Sequence, residues 1–245
     1  PNPGDDQFNA TCLFARDSGA VGILLKQIPN QPIRFPNDPE QRNRTEDAII
    51  AWTWRMFIND TENPGPEVLL QFPMTKAAVR ALDTVEEFVP TKVPSANIER
   101  FMVSGGSKRG WISWLVASVD QRVFGAVPIV LSCLNTVENL YHHYESLGAC
   151  SWVLKDYWDV EMFAFLDHPH TEMMVDYIDP FSYRSRLTMP KIQMSATGDE
   201  FFLPDDSHYF FDDLPDPKYI QMLENTNHGL SGQYDRAYLG SVSFF

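Results

Sequence analysis

Two rhythms of apolar residues divide this chain. In the first hundred residues they recur at helical spacing. Over 45–57, Ile49, Ile50, Trp52, Thr53 and Phe57 share one face, and Glu46 and Asp47 occupy the first turn, where carboxylates suit the helix dipole. Over 75–88 the stripe is Ala78, Leu82 and Val85, continued by Val89. Ahead of these, residues 1–18 are polar and read as turns. The unbroken run at 21–25, VGILL, predicts a strand buried on both faces, and prolines at 29, 32, 36 and 39 mark a loop after it.

From residue 101 the pattern becomes strand, helix, strand. Short apolar runs at 101–104, 124–131, 191–196 and 219–223 predict strands, with helices at 111–118 and 207–213. Alternation of this kind makes the fold class α/β, with a mostly parallel sheet and helices on both faces. The stretch between the second and third strands is too long for an ordinary crossover and rich in Trp, Tyr, His and acid, so it reads as an inserted helical cap. The expected organisation is a core over 1–135, the cap over 136–186 and the rest of the core over 187–245. Tyr141, Tyr144, Trp152, Tyr157, Trp158, Phe163 and Phe165 are expected to pack that cap onto the sheet. Its acids, Asp156, Asp159, Glu161, Asp167, Glu172, Asp176 and Asp179, read as a solvated face; the sharper alternative is that one or two hold a substrate ammonium.

Charge narrows the range of partners. A net charge of −14 excludes the clustered basic surface that nucleic acid requires, and it disfavours anionic membranes. No apolar run approaches the length of a membrane span. The sequons at Asn9, Asn43 and Asn59 point to N-glycans and a secreted protein. Secretion would permit a Cys133–Cys150 bridge and leave Cys12 to seek a partner elsewhere; with no initiator Met, the chain reads as processed or truncated.

The densest chemistry is at 103–111, VSGGSKRGW, between a predicted strand and a helix. Three readings compete: a surface turn, an anion-cradling loop and a nucleophile elbow presenting Ser107. A phosphate loop would need the G-K-[ST] arrangement, which is absent. An elbow needs small neighbours because the turn is sharp. Gly105 fits the G-x-S-x-G spacing, Arg109 stands where its second glycine belongs, and Gly110 comes one residue late. A serine also needs a base and an orienting acid. The third strand runs into Thr197-Gly198-Asp199-Glu200 and the fourth into Asn227-His228-Gly229, so acid and imidazole fall at C-terminal strand ends in the order Ser, Asp, His. Asp199 is preferred as the acid, with Glu200 the alternative. Lys108 would offer its backbone N–H to an oxyanion. Arg109 would brace the elbow by pairing with an acid, or bind a substrate carboxylate. His142-His143 and His168-Pro-His170 lack the spacing of a zinc motif, so no metal and no cofactor are expected.

At these residues the chain resembles the PhoPQ-activated pathogenicity-related protein family, whose members include secreted proliferation repressors. The likeness runs through LLKQIPNQP (24–32), TEDAIIAWTW (45–54), PMTKAAVRALDTV (73–85), VSGGSKRGW (103–111), DPFSYRSRLTMPK (179–191), ATGDEFFLPDDS (196–207) and NTNHGL (225–230). It implies an α/β-hydrolase fold, a Ser107, Asp199, His228 triad and Arg109 as a family trait. It also implies early strands, with the loop expected to give the second oxyanion N–H, ahead of the region matching 19–32, where nothing here corresponds. The resulting expectation is a secreted serine hydrolase acting on a small peptide or ester. The rival is a hydrolase-fold glycoprotein that acts by binding a protein partner or an upstream segment of the same protein.

Overall fold

The computed structural model describes residues 6–60 and 65–245. Four parallel strands lie side by side in chain order: β1 (Phe101–Gly106), β2 (Val123–Ile129), β3 (Lys191–Ala196) and β4 (Lys218–Leu223). Successive parallel neighbours require crossovers. Helix α4 (Lys108–Val119) joins β1 to β2 and packs on both. Between β2 and β3 the chain forms α5 (Thr136–Leu147), α6 (Lys155–Asp159) and α7 (Pro169–Ile178).

The central strands β2 and β3 are covered on both faces, whereas the edge strand β4 leaves Tyr219, Ile220 and Met222 exposed. On one face Val123 and Ala126 meet Trp114 of α4, and the core continues to Ile49, Trp54 and Phe57 of α2 (Asp47–Asn59) and Met74 of α3 (Gln71–Lys92). On the other, Val127, Met194 and Leu223 pack with Ala237 and Phe244 of α8 (Tyr234–Phe244). Alternation shows within β1, where Val103 joins the first core and Met102 the second. Each large side chain buried in this way contributes about 1.5–3 kcal/mol.

Four expectations are corrected. Residues 21–25 are extended but join no strand, and Val21, Ile23 and Leu25 are exposed; apolar content cannot make a strand without a neighbouring ladder. Residues 6–18, read as turns, form α1 (Asp6–Ser18), which packs on α8 through the edge contact of Phe14 with Phe245. The stretch 207–213 is two 3-10 turns, Asp206–Tyr209 and Phe211–Asp213, rather than a helix. Cys12, Cys133 and Cys150 are all free thiols, so the Cys133–Cys150 bridge is not formed. The aromatics between β2 and β3 divide: Tyr157 packs on Trp54, and Phe165 receives the Arg55 guanidinium at 3.9 Å. Tyr144, Trp152 and Trp158 instead lie exposed. Asn9, Asn43 and Asn59 are all exposed, and Thr61 of the third sequon lies outside the described residues.

Candidate functional site

Ser107 stands alone between β1 and α4 with φ 55° and ψ −129°, a conformation that L-residues rarely adopt. Strain of this kind costs of order 1–3 kcal/mol and persists only where surroundings enforce it. Here they do. The Ser107 N–H donates to the Ile129 carbonyl at 2.9 Å, and the Ser107 carbonyl accepts from the Trp111 N–H at 3.1 Å. A Cβ on Gly105 would lie 2.5 Å from the Arg109 carbonyl oxygen, and one on Gly110 would lie 3.0 Å from that of Gly105. Both glycines are therefore needed because β1 and α4 pass at backbone contact. Gly110 serves although it comes one residue late, because it closes on Gly105 from the next position of the helix. Gly106 meets nothing within 4 Å. At the start of α4, the Lys108 N–H has no acceptor within the helix and carries its positive dipole end.

Both cations after the serine converge on one carboxylate, Glu46. Arg109 grips it through Nη1 and Nη2 at 2.9 and 3.1 Å, and its Nε donates to the Ile28 carbonyl at 3.0 Å. Lys108, buried where Arg109 is half-exposed, pairs with the same Glu46. Burial, assisted by the Arg109 charge, pushes the Lys108 ammonium down to about 7. Burial likewise lowers Arg109. Glu46 heads α2 with φ 48° and ψ −125°, nearly the backbone of Ser107, and its N–H donates to Gln31 Oε1 at 2.9 Å. Two helices thus start from similarly strained turns, tied together by one fork of charge.

The acid and the imidazole meet. His228 Nδ1 lies 2.9 Å from both oxygens of Asp199; a carboxylate only accepts, so Nδ1 carries the proton. Asp199 is buried and also accepts from the N–H groups of Phe201 and Phe202 at 2.8 and 3.1 Å. Glu200 takes another place: its Oε2 accepts the His228 backbone N–H at 3.0 Å and does not touch the ring. Gly198 bonds to Thr226, and Thr197 Oγ1 accepts from Asn225 N–H, so the loops after β3 and β4 are lashed together.

An apolar pocket of roughly 770 Å³, counted out to its mouth, opens beside Ser107 and runs beneath the segment between β2 and β3. Trp54, Leu131, Met162, Phe163 and Met174 line it. Phe201 and Phe202, whose rings touch His228 at 4.5 and 5.6 Å between centroids, line it too. The pocket therefore runs from the serine to the two rings that pack on the imidazole, and no Ser107–His228 hydrogen bond occurs among the described residues. Asp47 is its carboxylate. Burial first, then the charge of Asp156, pushes Asp47 up to about 6.

The sequence signature of PhoPQ-activated pathogenicity-related proteins matches residues 2–245. The chain belongs to that family. Autocrine proliferation repressor protein A of Dictyostelium discoideum is 39% identical over the whole of this chain, which spans 48% of that relative's length. Among solved structures, an acetyl xylan esterase from Paenibacillus sp. R4 superposes with TM-score 0.57 at 17% identity, over 74% of this chain and 54% of its own. Acetyl xylan esterase 1 from Thermoanaerobacterium sp. JW/SL YS485 gives 0.54 at 16%, over 79% and 58%. The fold is that of the α/β-hydrolases.

Within this family member, Glu46 and Asp47 are the residues that sequence reasoning missed. Both read as first-turn acids suited to a helix dipole. The available signal was the demand of Arg109 for a carboxylate, but 33 acids could have answered it.

Proposed function

We propose that this chain carries the catalytic centre of a serine hydrolase for small esters or amides with an apolar acyl portion. Ser107 Oγ attacks the carbonyl, and its proton passes to His228 Nε2. The Lys108 N–H steadies the oxyanion. The imidazolium then protonates the leaving group, and a water activated by His228 releases the acid and restores the serine. One observation carries this reading: a strained Ser107 at a helix N-terminus lines a pocket with Phe201 and Phe202, whose rings pack on an imidazole whose Nδ1 is held by a buried carboxylate. Asp47 in the pocket wall, under the charge of Asp156, further supports a substrate ammonium in the pocket, since an incoming cation would relieve their repulsion.

The test is labelling of the full-length protein with a fluorophosphonate. Covalent modification at Ser107 is expected, abolished in Ser107→Ala and slowed at least 100-fold in His228→Ala. A folded protein that takes no label overturns the enzyme. It would favour the second reading, a secreted glycoprotein acting by binding, which the repressor name of the 39% identical relative supports. Acetylating the amine of a cleaved substrate should raise KM in the parent protein and leave it unchanged in Asp47→Asn.

A further inference from the structure

Where α5 meets the loop after β3, three side chains converge that hydrolysis does not use. His142 Nε2 lies 3.1 Å from Asp205 Oδ1 and 4.0 Å from Asp206 Oδ1, and the candidate donor atoms of all three residues fall within 4.8 Å of one another. We propose that His142, Asp205 and Asp206 form a zinc-class divalent metal site that clips α5 to the loop carrying Asp199.

An ion pair between His142 and Asp205 would account for those two residues alone. It does not account for Asp206, whose side chain is 4% exposed and whose Oδ1, facing His142, has no hydrogen-bond partner. A buried carboxyl oxygen without a donor either keeps its proton or takes a cation, and the convergence of His142 and Asp205 on it favours the cation. Zinc bound at about 2.0–2.2 Å by tetrahedral nitrogen and oxygen ligands holds them roughly 3.3–3.6 Å apart. Separations of 3.1 and 4.0 Å from His142 bracket that spacing, and the two carboxylates, within 4.8 Å of each other, would close by up to about an ångström to seat the ion.

The surroundings fit as well. His142 Nδ1 lies 3.3 Å from Ser146 Oγ, one turn along α5, as a ligating imidazole whose other nitrogen needs an anchor would require. The Tyr209 ring packs against the imidazole at 5.0 Å, and its carbonyl accepts from Asn135 Nδ2 at 3.1 Å. Asp205 is largely exposed, which leaves a coordination position for water. Imidazole in the donor set favours zinc over calcium, magnesium and manganese, which suit oxygen ligands. The sequence carries no metal motif because its ligands come from positions 63 residues apart.

The test starts from protein stripped by a chelator and titrated with zinc chloride, read by calorimetry and thermal melting. One equivalent should bind and raise the melting temperature. His142→Ala and Asp206→Asn should each weaken binding at least tenfold while fluorophosphonate labelling of Ser107 continues. Asp206→Asn keeps the size and shape of the buried carboxyl and should melt no lower than the stripped parent. Zinc affinity unchanged in both variants overturns the site, as does stabilisation by calcium with none by zinc. Cobalt-loaded parent protein gives a reading that needs no variant: visible bands far stronger than those of aqueous cobalt, without thiolate charge transfer, support the site, whereas bands no stronger than those of the aqueous ion, or intense thiolate charge transfer that places the metal on cysteine, overturn it.

Discussion

Single residues at the elbow make opposite demands on their backbones. Gly105→Ala forces a methyl against the Arg109 carbonyl and should cost roughly 2–4 kcal/mol in urea unfolding. Gly106→Ala, with open space around it, should cost about 1 kcal/mol or less. Ser107 bears the complementary burden. Ser107→Gly should relieve the positive φ and stabilise by about 1 kcal/mol, whereas Ser107→Ala should abolish labelling and keep the strain. The importance of Gly105 was legible in the motif, because a sharp turn states its steric need locally. The freedom at Gly106 was not, since empty space beside a residue is made by chain from elsewhere.

Elements succeed or fail as neighbours. Strands β1, β3 and β4 were legible as apolar runs ending in glycine or a polar turn, and each found a ladder. VGILL carries the same signal and found none, so its apolar residues face outward. The tie between the starts of α2 and α4 was equally hidden, because an ion pair spanning 63 positions leaves no periodic trace. It makes a clear prediction. Glu46→Gln strands the buried Lys108 ammonium and should destabilise by about 2–3 kcal/mol. Adding Lys108→Met to Glu46→Gln should recover much of that loss in the same unfolding assay, since a thioether of similar length suits the apolar pocket it lines.

Across the whole molecule, an acidic chain places one carboxylate in its apolar pocket, and stability must record it. Asp47 titrates at about 6 in the folded state against 3.8 for a free aspartate, so the folded protein holds that proton more tightly. The resulting penalty is absent below about pH 4, grows between pH 4 and 6 and is complete above. Asp47→Asn should therefore stabilise at pH 7 by roughly 3 kcal/mol and make no difference at pH 3.5, as urea titrations at the two pH values would show. The order of serine, acid and histidine could be read from the sequence because strand ends carry it. The pocket could not, because residues from α2, α5 and α7 build it jointly.

The Glu46 N–H also donates to Gln31, and Arg109 reaches back to Ile28, so the early loop and the turn carrying Ser107 are fastened at one knot. Loosening that loop slackens the serine while the two cores stay shut. Mild denaturant should accordingly silence the protein well before circular dichroism registers any melting.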